Sequence, residues 1–236
     1  MLDDFDIVGL PWLIVALMLI NGVIALITPE TEPTTAKRHA SKLRHAVMRG
    51  DVLAFFLVYL LLQVAHGPYY VFYSVYLQQH HYSSTATGLL WSLGVCSEIV
   101  LFLGAQPLLR RLGARRLLLI SLALGVLRWW VIAYCADWPV AIALAQLLHA
   151  ATFGAAHVVA VHLLRQYFGD LHQGKGQALY SSISFGLGGM LGSYFSGYFW
   201  DLAGAELVYT GAALVCGLAW LMAFLGVARQ NRSTLG

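Results

Sequence analysis

Apolar residues in this chain gather into long runs separated by short polar stretches: residues 7–27, 52–77, 85–109, 116–135, 139–165, 176–200 and 205–228. Each run is close to the roughly 20 residues that an α-helix needs to cross the hydrocarbon core of a bilayer. Runs this continuous are helices, because a membrane β-barrel is built from short segments whose residues alternate in and out. The expected fold is therefore all-α, a polytopic membrane protein with seven transmembrane helices. One long connection, rich in Pro, Thr and basic residues, divides a first helix (1–28) from a block of six spans (51–236) joined by short turns, so 29–50 is read as a linker. Six spans in a block suit a three-plus-three arrangement of the kind found in transporters with inverted repeats, although no strong internal sequence repeat accompanies it.

Composition agrees with a lipid solvent. Of 236 residues, 59% are hydrophobic and 11% charged, with a mean hydropathy of +0.71, whereas soluble domains carry roughly 25% charged residues. The net charge of +3 matters less than where the cations sit. Lys37, Arg38, Lys42, Arg44 and Arg49, then Arg110, Arg111, Arg115 and Arg116, then Arg165 and Lys175, and finally Arg229 and Arg232 occupy every second connection, and Arg128 alone lies inside a run. The positive-inside rule puts these connections in the cytoplasm. The N-terminus is then outside and the C-terminus cytoplasmic, with His80, His81, Asp137, Asp201 and Glu206 on the outer surface and Trp12, Trp138 and Trp200 near the outer interface. The lipid bilayer is the expected partner, and cations confined to short loops leave no nucleic-acid partner to expect. Residues 1–6 are acidic where a secretory signal needs a basic start, so the first run is kept as a membrane helix. Cys96, Cys135 and Cys216 are odd in number, lack Cys-x-x-Cys spacing and read as small packing residues.

Charged groups deep in a membrane cost several kcal/mol unless they are paired or face water. Two are present, Glu98 and Arg128. Counted from Leu109 and Arg116 at the cytoplasmic ends of their runs, their depths differ by only about 2 Å at 1.5 Å per residue, so a direct ion pair is expected. That pair has two readings, a buried salt bridge that fixes packing or part of a substrate or proton site. In the fifth run, steps of three and four put Gln146, His149, Thr152 and Phe153 along one face, with His157 nearby and His162 pointing elsewhere. A histidine there either exchanges a proton near neutral pH or bonds a neighbouring helix. In the second run, His66-Gly67-Pro68-Tyr69-Tyr70 places a helix-kinking proline ahead of Tyr69, Tyr73 and Tyr76, which follow i, i+4, i+7 spacing as either a cavity wall or ordinary packing. In the sixth, Gly188-x-x-x-Gly192-x-x-x-Ser196 and Gly189-x-x-x-Ser193-x-x-x-Gly197 are both ladders of small residues that let helices approach closely. No phosphate loop, zinc helix or intramembrane serine motif occurs, so neither an enzyme nor a bound cofactor or metal is expected.

With these residues in place the chain resembles the Major Facilitator family, most closely the phenylpropionate permease group near the lactose permease branch. The resemblance rests on His66-Gly67-Pro68-Tyr69-Tyr70 with Tyr73-Ser74; on Leu90-Trp91-Ser92-Leu93-Gly94 leading to Glu98; on Arg110-Arg111 before Leu117-Leu118-Leu119-Ile120-Ser121; on Gly125-Val126-Leu127-Arg128-Trp129; and on Leu148-His149-Ala150-Ala151-Thr152-Phe153 with His157. It implies that the first run corresponds to the sixth helix of a twelve-helix permease and the remaining runs to helices seven to twelve. The expected protein is the C-terminal half, plus one helix, of a secondary transporter of the bacterial inner membrane. It would work by proton-coupled uptake of a small organic substrate such as an aromatic carboxylate and require the N-terminal helices that precede Met1 in a complete permease, which makes this chain a fragment or truncated product. Glu98, Arg128 and His149 match in type and order the coupling and binding residues of lactose permease, and His157, His66, Tyr69 and Tyr73 join them as candidates. Thr152 stands where that permease has a carboxylate, a departure that sets its proton scheme apart. The competing expectation is a receptor-like or scaffold seven-helix protein; its retinal form would need a lysine in the last run, and residues 205–228 contain none.

Overall fold

A computed structural model of the chain describes residues 10–27 and 47–227, which fall into two units divided between residues 41 and 42. The first unit contains α1 (Leu10–Ile27), apolar along its length. The second contains α2 (Gly50–Gln79), α3 (Ser84–Leu103), α4 (Ala105–Leu112), α5 (Ala114–Tyr134), α6 (Pro139–His149), α7 (Ala156–Tyr180) and α8 (Gly189–Gly226). Wide π-helical turns, Ala150–Ala155 and Ser181–Gly188, join α6 to α7 and α7 to α8. The described residues are all-α. Gly50–Gln79, Ser84–Leu103, Ala114–Tyr134, Pro139–Gly169 and His172–Gly226 are each long and apolar enough to cross a bilayer, which makes this a polytopic membrane protein. Lys37, Arg38, Lys42, Arg44, Arg229 and Arg232 lie outside the described residues.

Two glycines divide the longest stretches. Gly169 (φ 63°, ψ 175°) and Gly204 (φ 80°, ψ 164°) adopt backbone angles that are essentially closed to residues with a Cβ. Both fall between the runs marked in the sequence. The chain doubles back at Gly204: before it, Gly188, Gly192 and Trp200 meet Leu60, Val64 and Phe72 of α2 in ascending order, whereas after it Tyr209 and Gly226 meet Pro68 and Ala54 in descending order.

The third run behaves differently from expectation. Its helix ends at Leu103, not Leu109, and after Gly104 the chain continues as the separate α4. Pro107 explains the break, since its ring would clash with the carbonyl four residues back, that of Leu103, and it has no N–H to offer that carbonyl. The short α4 buries Ala105 and Leu109 and exposes Arg110 and Arg111.

Packing centres on α2. Pro68 cannot donate to the Val64 carbonyl, and at that carbonyl Gly192 makes its close approach; a Cβ on Gly192 would lie 2.5 Å from Val64 O, and one on Gly67 only 2.2 Å from the Gly192 carbonyl carbon. Gly188 approaches the Leu60 carbonyl in the same way, at 2.7 Å, while Gly189 meets nothing within 4 Å. Of the two small-residue ladders, only the one through Gly188, Gly192 and Ser196 is used in this close helix contact.

The ends of the second unit carry different chemistry. At one end Arg49 pairs with Asp51 at 2.7 Å and lies over the Tyr167 ring, and Arg115 Nη2 donates to the Phe224 carbonyl at 2.6 Å. At the other, His80 meets Asp137 at 2.5 Å and the Tyr134 and Thr210 hydroxyls pair at 2.9 Å.

Candidate functional site

The polar residues singled out in the sequence converge midway along the unit, where α2, α3, α5 and the α6–α7 turn meet. Arg128 is its centre and is fully buried. Its Nε donates to the Ala145 carbonyl at 2.9 Å and its Nη1 to the Thr152 hydroxyl at 3.3 Å. The guanidinium carbon lies 4.4 Å from the centre of the Tyr69 ring and 4.6 Å from that of Trp129. Two aromatic faces offset part of the cost of burying the cation, since a desolvated cation–π contact contributes about 2 kcal/mol. The remaining nitrogen, Nη2, has no hydrogen-bond partner.

Glu98 does not pair with Arg128. Its Oε1 lies 2.7 Å from His149 Nε2, a close but poorly aligned contact that leaves Oε1 without a well-directed donor. The two groups lie in the same cluster, as their matched depths lead one to expect, but depth does not fix the partner: the Glu98 carboxyl group meets His149, while Arg128 is taken up by the Ala145 carbonyl, the Thr152 hydroxyl and the Tyr69 and Trp129 rings. A proton on either group would let this contact become a hydrogen bond, since two facing lone pairs repel. Among the described residues no carboxylate stands within ion-pair distance of Arg128.

Around this centre the shared face of the fifth run points inward. Gln146 accepts a hydrogen bond from the Tyr69 hydroxyl at 2.9 Å, and His149 stacks on Phe153 with ring centres 5.3 Å apart. His66 is fully buried between Trp129 and Phe153; its Nδ1 donates to the Leu62 carbonyl at 2.8 Å, which leaves Nε2 as a lone-pair acceptor without a partner. Tyr73 packs behind Tyr69 and against Trp91, its hydroxyl unpartnered. Tyr69, Tyr73 and Tyr76 are at most 2% exposed, so that row is interior packing and not an open wall. His157 stands apart, two turns beyond His149, with its Nδ1 3.4 Å from the Tyr180 hydroxyl.

Unpartnered polar atoms mark the place. Native interiors leave few of them, yet His66 Nε2, Glu98 Oε1, Arg128 Nη2, Trp129 Nε1, Gln146 Nε2 and His149 Nδ1 all belong to this one cluster. Residues missed in the sequence sit at its rim. Tyr70 stacks on His66, and Phe185, from the second π-helical turn, meets Phe153 edge to face at 6.1 Å. Phe153, by contrast, already stood on the face shared with His149; Tyr70 entered only as part of the His66–Tyr70 motif, and Phe185 carried no local signal. A separate apolar cavity of about 400 Å³ lies between α2 and the two arms of α8, lined by Val64, Pro68, Phe195 and Phe199 among others, and includes none of the polar cluster.

Comparison with known proteins places the chain among membrane transporters. The chain is 34% identical over 167 residues to the "Probable 3-phenylpropionic acid transporter" of Escherichia coli (strain K12), covering 71% of this chain and 41% of that protein. It is 26% identical over 153 residues to the "Maltose permease" of Geobacillus stearothermophilus, covering 63% of this chain and 37% of the permease. An uncharacterized transporter of Bacillus subtilis (strain 168), YwbF, is 22% identical over 231 residues, which is 93% of this chain and 55% of that protein. The chain thus spans about half, or less, of the length of these relatives. Residues 1–210 match the MFS_1 like family. The chain belongs to that family, a family of Major Facilitator membrane transporters and not of enzymes.

Proposed function

We infer that this chain forms the C-terminal half, with one preceding helix, of a permease that carries a small aromatic carboxylate across the bacterial inner membrane with protons. The observation that carries the reading is the fully buried Arg128, which has two aromatic faces, two neutral hydrogen-bond partners, no carboxylate at ion-pair distance and a free Nη2. A buried cation without an anion is costly, and a substrate carboxylate supplies the missing charge through strong charge-assisted hydrogen bonds. Thr152 strengthens the argument: its hydroxyl binds Arg128 at the position where the lactose permease branch has a carboxylate. A neutral sugar suits an arginine already paired with an acid; an anionic substrate suits one that is not. The similarity to a protein named for 3-phenylpropionic acid supports the same class.

In this reading Arg128 holds the substrate carboxylate, Tyr69 and Gln146 position Arg128, and the Glu98–His149 pair carries the exchangeable proton, with His66, Tyr73 and His157 in supporting places. An anion arriving near the pair favours its protonated form and its departure favours release, which couples the two movements. The basic end of the unit is cytoplasmic and the His80–Asp137 end external, by the positive-inside rule. His172–Gly226 makes two passes, since 55 residues of helix would extend about 80 Å; with α1 as a further pass the chain crosses seven times, N-terminus outside, with residues 29–50 as a cytoplasmic linker between helix 1–28 and bundle 51–236. Alternating access requires a second bundle rocking against this one, so an N-terminal half is the expected partner. The test is uptake of 3-phenylpropionate by the chain joined to a compatible N-terminal half. Uptake should need a proton gradient and fall with Arg128→Ala or Glu98→Gln; uptake indifferent to both substitutions contradicts the reading.

A further inference from the structure

The substrate anchor identified above is polar, and an aromatic acid also needs a surface for its ring. The tyrosines with helical spacing do not provide it, because Tyr69, Tyr73 and Tyr76 are buried in the interior. Three other rings border the cluster and remain partly exposed: Tyr70 (49% exposed), Phe185 (39%) and the half-buried Phe153. They are linked through the site itself. Tyr70 stacks on His66 at 6.1 Å, His66 meets Phe153 at 5.7 Å, Phe153 stacks on His149, and Phe185 closes on Phe153 from the neighbouring helix.

Exposed aromatic rings in a membrane protein commonly face lipid, but the edges of this patch exclude that. Glu98 retains 16% side-chain exposure and its Cγ lies 3.6 Å from where a Cβ of Gly154, the residue after Phe153, would stand. His157, also partly exposed, lies 6.4 Å from the Phe185 ring. Ionisable groups at this depth face a bundle interior or a water-filled cavity, and the rings between them share that side. Phe153 and Phe185 each occupy a π-helical turn, Ala150–Ala155 and Ser181–Gly188, a local departure from α-helix that recurs at functional sites. We propose that Tyr70, Phe153 and Phe185 form the ring-binding wall of the transport site and select substrates that bear an aromatic ring.

The proposal rests on the aromatic-acid reading, and its test separates the two. The full chain in lipid nanodiscs is titrated calorimetrically with 3-phenylpropionate, 3-cyclohexylpropionate, which keeps the acid and loses the aromatic ring, and 3-phenylpropan-1-ol, which keeps the ring and loses the charge. The wild-type chain is expected to prefer the phenyl acid to the cyclohexyl acid. Phe153→Leu and Phe185→Leu should each lower that preference roughly three- to tenfold, as the loss of one aromatic contact implies, with little change for the cyclohexyl acid. Tyr194→Leu, a highly exposed ring elsewhere on α8, should leave the preference intact. A preference that survives both phenylalanine substitutions, a wild-type chain without one, or no binding of any probe overturns the wall. Equal binding of the alcohol and the phenyl acid, with ring preference still set by Phe153 and Phe185, leaves the wall standing and removes the acid.

Discussion

The tightest constraint on the fold is the approach of Gly67 to Gly192, and a single methyl group tests it. In Gly67→Ala the new Cβ would sit 2.2 Å from the Gly192 carbonyl carbon, 2.5 Å from its Cα and 2.6 Å from its oxygen. All three are backbone atoms, so no side chain can swing aside. Carbon–carbon contact is comfortable at about 3.5–4.0 Å, which means α2 and α8 must separate by more than about 1 Å at their crossing. Overpacking of this kind costs roughly 1–3 kcal/mol, and replacing glycine by alanine within a helix returns about 0.5–1 kcal/mol. With rigid backbone on the other side the upper part of the range applies, leaving a net loss of about 2 kcal/mol, or about 30-fold in the folded-to-unfolded ratio. Gly189→Ala on the neighbouring ladder provides the control, because its Cβ meets nothing within 4 Å, and it should be neutral or slightly stabilising. Unfolding of both variants in mixed micelles with rising denaturing detergent, followed by circular dichroism, compares them directly. If Gly67→Ala unfolds at the same detergent fraction as Gly189→Ala, the close crossing is wrong.

Glu98→Gln and His149→Gln should show a coupling of about 1–2 kcal/mol in a double-mutant cycle of unfolding, whereas Glu98→Gln with Arg128→Gln should be more nearly additive, because Glu98 of α3 is in contact with His149 and not with Arg128 of α5. A larger coupling in the Arg128 cycle would restore the pairing that depth alone suggested. Cysteines placed at Arg111 and at Asp201, both exposed, should be labelled by an impermeant thiol reagent from opposite sides of the membrane, Asp201→Cys from outside in intact cells and Arg111→Cys only after the cells are opened. The reverse pattern would invert the topology.

The helices of the bundle were legible because lipid enforces a simple rule, about 20 apolar residues per pass, and because Gly169 and Gly204 stand between runs where only glycine fits. The end of the third helix was legible too, in Pro107, but the unbroken hydropathy around it masked the stop. The inward face of Gln146, His149 and Thr152 followed from helical spacing, whereas the two π-helical turns have no comparable local signature. The rim rings show the general limit. Tyr69, Tyr73 and Tyr76 share one helix face and so announce themselves, yet they are packed inside; Tyr70, Phe153 and Phe185 come from three segments and become neighbours only through tertiary packing.

The central claim is that Arg128 is the anchor for a carboxylate. Its most direct measurement is charge discrimination at equilibrium, the affinity for 3-phenylpropionate divided by the affinity for 3-phenylpropionamide, in the wild-type chain and in Arg128→Gln and Arg128→Lys. Hydrogen bonds to a charged group contribute about 1.5–3 kcal/mol, roughly 10- to 100-fold. The account predicts that the wild-type chain favours the acid by at least about tenfold, that Arg128→Gln abolishes the preference, and that Arg128→Lys keeps part of it. An unchanged preference in Arg128→Gln would contradict the account.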